Sequence, residues 1–167
     1  YNLSRYYVNM KNNMKAKSTL EHAINAFNNL DVVKKKDVYN QIDSYRLLGE
    51  EYIREKEYLK AQEVLTQGIS NYISAHELSG LKGTEKIGKL YTDMGDINYF
   101  ITGDLDNALQ NYKDSIETFY DTPQIRYKIG YIQYGKKNYS EALGSFMKSS
   151  ELYADDPNLL LAMGNTL

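Results

Sequence analysis

The sequence predicts an all-α protein in which antiparallel helical hairpins stack into a solenoid. Two observations favour this class: a near absence of helix breakers and a motif that returns at a fixed spacing. Only two prolines, Pro123 and Pro157, occur among the 167 residues. Proline inside a helix removes a hydrogen bond and clashes with the preceding turn. The chain is therefore free to be helical over most of its length.

The repetition has a period of about 34 residues, a length typical of helical-hairpin repeats. Ala108 and Ala142 are one period apart, and each is followed by leucine. Gly130 and Gly164 have the same separation, as do the two prolines. Three returns at one spacing indicate a structural repeat. Such hairpins stack because no single one can bury its apolar face alone.

The residues within each copy resemble the tetratricopeptide repeat (TPR), whose signature places L-G-x-x-Y in a first helix and A-x-x-x-F in a second. The clearest copy has Leu48, Gly49 and Tyr52, followed by Ala61 and Leu65. Further copies are carried by Ile129, Gly130, Ala142 and Phe146, by Tyr99, Ala108 and Tyr112, and more weakly by Leu3, Tyr7, Ala16 and Leu20. The resemblance covers nearly the whole chain and implies a TPR-like fold, in which the hairpins stack into a right-handed superhelical solenoid.

Small residues in the signature allow two antiparallel helices to approach closely. We expect Gly49 with Ala61, and Gly130 with Ala142, to lie where the two helices of each hairpin cross. The signature alanines stand at positions 16, 61, 108 and 142. Their first two intervals are each longer than the third by roughly three helical turns. The longer intervals therefore predict elongated helices.

These patterns place nine helices along the chain. First helices are predicted at 1–12, 37–55, 84–102, 124–136 and 158–167, and second helices at 14–30, 58–78, 105–120 and 139–154. Thr84 and Asp37 are expected to cap the helices that follow them. We interpret residues 1–167 as one TPR-like domain of about four hairpins and one unpaired C-terminal helix, cut from a larger protein.

Composition argues against several kinds of function. The net charge is −2 and there is no cysteine, so the chain has neither a positive field for nucleic acid nor a thiolate zinc site. No apolar run reaches the roughly 20 residues that span a bilayer. The isolated histidines His22 and His76, and the turn carboxylates Asp104 and Asp106, offer no metal set or catalytic pair. We therefore expect no enzymatic activity, cofactor, metal, nucleic-acid partner or membrane insertion.

In TPR proteins the first helices of successive repeats line a concave groove that holds a partner protein or peptide. The resemblance implies that this groove displays Arg46, Glu50, Ile53, Arg54, Asp93, Ile97, Phe100, Tyr127, Lys128, Tyr131 and Tyr134. Tyrosine suits such a role since it buries much area at a small cost in rotamer entropy. Packing between neighbouring helices is the alternative for each tyrosine, and Tyr131 is the one expected to face outward.

Several functions fit such a groove. The chaperone-tail clamp of some TPR proteins does not, because Glu50 would repel a carboxylate and Met94 cannot hydrogen-bond usefully to it. A scaffold that binds a protein or peptide is the leading hypothesis, and the composition suggests a bacterial envelope or flagellar-motor assembly. The alternatives are a peptide-sensing regulator and a structural spacer that self-associates through its C-terminal helix. Cytoplasmic and periplasmic locations are both compatible with the sequence.

The predicted helix crossings can be tested by placing a charge in them. Ala61→Arg or Ala142→Arg should lower the free energy of unfolding by about 3 kcal/mol or more, through overpacking and an unpaired buried charge. Denaturant unfolding of each purified variant measures this change. A variant as stable as the parent chain would show that the repeat register is wrong.

Overall fold

The computed structural model describes residues 1–30, 34–152 and 157–166, and their regular structure is helical with no strand. The described residues form α1 (Asn2–Asn9), α2 (Asn13–Asn28), α3 (Lys35–Arg54), α4 (Tyr58–Ser79), α5 (Glu85–Ile97), α6 (Leu105–Glu117), α7 (Pro123–Gly135), α8 (Tyr139–Leu152) and α9 (Pro157–Gly164). A π-helical segment, Asn98–Thr102, continues α5. The all-α class is therefore confirmed. The predicted end of α8 at 153–154 and the last residue of the predicted C-terminal helix lie outside the described residues.

Consecutive helices pair as hairpins. The pairs are α1 with α2, α3 with α4, α5 with α6 and α7 with α8, while α9 packs on α8. Each hairpin touches the next through α2 and α3, α4 and α5, and α6 and α7, and α3 also contacts α5 directly. Contact between successive hairpins is the mark of a helical-repeat solenoid. The predicted architecture is confirmed in this respect, and its right-handed sense stays a prediction.

Helix length differs between hairpins. The helices α3 and α4 have 20 and 22 residues, whereas α7 and α8 have 13 and 14, so the wide spacing of the signature does reflect elongated helices. Thr84 caps α5 as predicted, its hydroxyl accepting the amide of Ile87. Asp37 does not cap α3, because that helix already begins at Lys35. Its carboxylate instead accepts the backbone N–H of Lys34 at 3.3 Å.

A close approach of backbone to side chain holds the two helices of a hairpin together. A Cβ atom added to Gly49 would lie 2.5 Å from Leu65, and one added to Gly130 would come closer still to the Phe146 ring. Both approaches are well inside van der Waals contact. Leu65 and Phe146 therefore supply the atoms nearest to these glycines. The glycine meets the large residue four positions after the alanine, on the same side of the second helix.

The third hairpin makes the same contact, but with one more residue between its glycine and its large residue. Gly95 and Tyr112 are one position further apart in the sequence than the corresponding pairs of the second and fourth hairpins. A Cβ atom on Gly95 would still lie 2.7 Å from the Tyr112 ring. The π-helical segment Asn98–Thr102 lies between them, and a π turn holds one more residue than an α turn. The segment absorbs the additional residue and keeps the contact in place.

The apolar core fixes how α3 and α5 are rotated. The largest apolar cluster combines Ile42 from α3, Leu65 from α4 and Leu90 from α5, all essentially without exposed surface. A buried hydrogen bond of 2.8 Å from the Ser115 hydroxyl to the carbonyl of Gly88 joins α6 to α5. With these sides turned inward, the opposite sides of α3 and α5 are free to carry polar residues.

The glycine contact predicts opposite effects for the same substitution at two helical positions. Gly130→Ala should destabilise the protein by about 1–3 kcal/mol, because the new methyl group overlaps the Phe146 ring. Gly144→Ala, inside α8, meets nothing within 4 Å and should stabilise by about 0.5–1 kcal/mol through reduced backbone entropy in the unfolded chain. Denaturant unfolding of both variants measures the difference. Equal effects would show that the fourth hairpin is not held by this contact.

Candidate partner-binding face

The polar side of α3 is organised around Arg46. Its Nε donates to Oδ1 of Asp43 at 2.9 Å, and its Nη1 donates to Oε1 of Glu50 at 2.5 Å. These carboxylates lie three residues before and four residues after the arginine, so all three side chains share one side of the helix. The side chain of Arg46 is only 11% exposed, which makes the pairing stronger than that of a fully solvated ion pair.

Asp43 ties the start of the chain to the second and third hairpins. This buried carboxylate accepts from the hydroxyl of Tyr1, from Nζ of Lys86 at 2.7 Å and from Arg46. Burial alone would raise the pKa of Asp43, but Arg46, Lys86 and the Tyr1 hydroxyl outweigh it and hold that pKa below its usual value. This group was not predicted from the sequence. The available signal was an acidic residue beside Ile42 and three positions before an arginine.

Asp93 lies on α5 beside this arrangement. Its Oδ2 atom is closed off from solvent and has no hydrogen-bond partner among the described residues. Burial raises the pKa of the carboxyl to about 8, and the nearby charges of Glu50 and Asp96 push it in the same direction. The positive charges of Arg46 and Lys128 offset this only in part. Near neutral pH the carboxyl of Asp93 is therefore largely protonated.

A second set of polar contacts joins α5 to α7. Asp96 accepts from Nζ of Lys128 at 2.5 Å and from the hydroxyl of Tyr112 at 2.6 Å. The ammonium group of Lys128 also lies 5.5 Å from the centre of the Phe100 ring, within the range of a cation–π contact. Burial, together with the Asp96 carboxylate, raises the pKa of the Tyr112 hydroxyl, so Tyr112 remains a hydrogen-bond donor at any physiological pH.

Aromatic rings continue the same side of the molecule on α7. The rings of Tyr127 and Tyr131 are 4.7 Å apart, and Tyr131 also packs edge-on against Phe146 at 5.6 Å. Tyr131 nevertheless keeps 40% of its surface exposed, and Tyr134 keeps 37%. The prediction that Tyr131 faces outward is consistent with this exposure. We call the surface formed by Arg46, Glu50, Asp93, Asp96, Phe100, Lys128, Tyr131 and Tyr134 the first-helix face.

Solved structures with a similar backbone support the repeat architecture. BtubC (BKLC) from P. vanneervenii has a TM-score of 0.72 and 16% identity, over 98% of this chain and 68% of that one. The apo form of RapI has a TM-score of 0.69 and 17% identity, over 91% of this chain and 53% of that one. TTC0263, a thermophilic TPR protein in Thermus thermophilus, has a TM-score of 0.56 and 17% identity, over 98% of this chain and 77% of that one.

The chain has a TPR-like helical-repeat fold. This agrees with the signature residues, with the hairpin pairing and with the backbone likeness to TTC0263. The chain spans about half the length of RapI. Comparison with protein-family models gives no match, and comparison with curated protein sequences gives none either. Sequence identities of 16–17% support the fold alone. The function therefore has to be argued from the surface residues of this chain.

The structure brings together several of the predicted groove residues and corrects one. Arg46, Glu50 and Lys128 all lie within electrostatic reach of Asp93. The placement of Ile97 in the groove is wrong, because this side chain is 3% exposed and belongs to the apolar core.

The remaining groove residues differ in what they offer to a partner. Ile53 packs partly against the apolar core. Arg54 is held by the buried carboxylate of Glu51 at 2.7 Å, and Phe100 is 63% exposed. Asp96 was not predicted, although it follows Asp93 by three residues and must therefore share its side of the helix.

Two residues that were predicted to have structural roles make structural contacts. Asp104 caps α6 by accepting the amide of Asn107 at 3.1 Å, and Nδ1 of His76 lies 2.8 Å from the carbonyl oxygen of Leu81. Within the described ranges, no group of three or more His, Cys, Asp or Glu side chains is placed to hold a metal ion. In the same part of the chain, no helix combines the length and apolarity needed to cross a membrane.

The protonated state of Asp93 predicts how stability depends on pH. The folded pKa, about 8, lies above the ordinary value of 3.8, so the folded protein keeps a proton that the unfolded chain releases, and stability falls as pH rises through this interval. Asp93→Asn removes that loss. Its stability relative to the parent chain should therefore increase between about pH 4 and about pH 8, by about 1 kcal/mol or more.

Chemical unfolding across this pH range measures the effect. Asp106→Asn is the matched control, because Asp106 carries an 87% exposed carboxylate and should show no comparable increase. Parallel pH profiles for the parent chain and Asp93→Asn would mean that Asp93 is ionised and well compensated in the folded protein.

Proposed function

We propose that this protein is a binding module, without enzymatic activity, that holds a partner protein or peptide on its first-helix face. The observation that supports this most directly is the convergence of polar and aromatic side chains from α3, α5 and α7. The ion pair between Lys128 and Asp96 on this face connects α7 with α5, and the exposed Phe100 ring lies beside it. Charged groups that set orientation, next to aromatic anchors, are the usual composition of a protein-binding surface.

The aromatic part of the face can supply most of the binding free energy. Phe100, Tyr131 and Tyr134 are 63%, 40% and 37% exposed, so each can bury further surface against a partner. Tyr131 is also supported from below by the Phe146 ring. A ring that is already held in place loses little rotamer entropy on binding. Tyr131 is therefore the residue whose truncation should weaken binding most clearly.

A larger assembly, such as a bacterial envelope or flagellar-motor scaffold, is the setting we propose on the basis of composition. A peptide-sensing regulator would use the same first-helix face. Self-association is a second candidate, and one observation favours it: Leu160 and Leu161 on α9 are 60% and 65% exposed. Two neighbouring exposed leucines on one terminal helix could pair with a second copy. Light scattering that shows a monomer at high concentration would remove this candidate.

Affinity capture with the purified chain tests the binding function. The chain is used as bait in an extract of the source cell, in parallel with Tyr131→Ala and with the control Tyr6→Ala. Tyr6 is 55% exposed on α1, outside the first-helix face. A partner that binds the parent chain and the control, but binds Tyr131→Ala at least about tenfold more weakly, would support the proposal. A partner held equally by all three would place binding on another surface.

A further inference from the structure

The first-helix face and the ion pairs behind it contain one more carboxylate than cations. The carboxylates are Asp43, Glu50, Asp93 and Asp96, and the cations are Arg46, Lys86 and Lys128. Every cation in this set is engaged by a carboxylate other than Asp93. Arg46 and Lys86 bind Asp43, Arg46 also binds Glu50, and Lys128 binds Asp96.

Asp93 is the carboxyl that is left over. The charged groups that face it are Arg46 and Glu50 from α3, Asp96 from its own helix and Lys128 from α7. Its Oδ2 atom is buried and unpartnered within the described part of the chain. The residue as a whole keeps some exposed surface, so a group outside the protein can reach it. A buried polar atom without a partner is costly, and such atoms in a folded protein call for an explanation.

We propose that Asp93 receives a cationic side chain, lysine or arginine, of the partner polypeptide that binds the first-helix face. This inference rests on the proposed function and names the partner's chemistry at one position. An ammonium or guanidinium group would donate to the Asp93 carboxylate and supply the missing positive charge. Glu50 and Asp96 lie close enough to strengthen that attraction. The same two carboxylates would repel an acidic side chain or a terminal carboxylate, which sets the selectivity of the position.

Binding at this position displaces a proton. In the free protein the raised pKa of Asp93 keeps its carboxyl protonated near neutral pH. When the cation binds, the O–H bond of the carboxyl breaks, the proton leaves to solvent and the carboxylate pairs with the partner's charge. Affinity should therefore increase as pH rises toward about 8 and level off above it, while lysine and arginine stay charged throughout. The amide introduced by Asp93→Asn has no such proton to release, so this variant should lose the pH dependence.

A display library of random peptides tests the inference without knowledge of the natural partner. Peptides are selected on the parent chain near pH 8, and those whose binding is lost in Tyr131→Ala are taken as ligands of the first-helix face. Their affinities are then measured across pH 6 to 9 for the parent chain, Asp93→Asn and the exposed control Asp106→Asn. We expect enrichment in lysine or arginine at one position, and at least about tenfold weaker binding to Asp93→Asn near pH 8.

The possible outcomes separate this inference from the proposed function. Cationic ligands that lose both affinity and pH dependence in Asp93→Asn, but not in Asp106→Asn, would support the inference. Ligands that depend on Tyr131, yet contain no required cation or bind Asp93→Asn equally well, would overturn the inference and leave the binding function standing. If no selected peptide depends on Tyr131, binding at the first-helix face is overturned, and the assignment of Asp93 is overturned with it.

Discussion

The backbone of the first helix in a hairpin can contact the second helix only where a glycine leaves no side chain between them. In α5 and α7 these glycines, Gly95 and Gly130, meet aromatic rings of the second helices at distances that no Cβ atom would allow. Residues two positions apart on a helix are separated by about 200°. Asp93 and Lys128 each precede their glycine by two residues. The contact that closes the hairpin therefore also turns these charged side chains to the opposite side.

Ion pairs link the charged side chains on that side, but in the described part of the chain Asp93 takes part in none of them. Asp43 has three donors and a lowered pKa, whereas Asp93, one hairpin further along, has no donor to its Oδ2 within the described residues and a raised pKa. The same residue type thus has opposite properties at two positions, because burial is compensated at one and not at the other. Uncompensated burial of this kind lowers stability. Proteins tolerate it mainly where the group has a function that a compensated group could not perform.

Much of this arrangement follows from local sequence patterns, and the rest does not. Hydrophobic spacing and helix-capping residues report which segments are helical and which side is apolar, so the helix positions and the elongated second hairpin could be predicted. The Asp43 group depends on Tyr1 and Lys86, which lie 42 and 43 residues away, and no local pattern connects them. Ile97 was misplaced because the apolar core extends to the end of α5, where this side chain is buried.

The π-helical segment Asn98–Thr102 has a consequence for how the chain tolerates changes in length. Deleting a residue from an α-helix normally rotates everything beyond it by about 100° and moves apolar side chains out of the core. Here the winding already contains one residue in excess. Losing it would return the segment to α-helical geometry and give the third hairpin the same internal count as the second and fourth. Deleting one residue from Asn98–Thr102 would therefore restore a regular α-helix, because the segment already contains one additional residue.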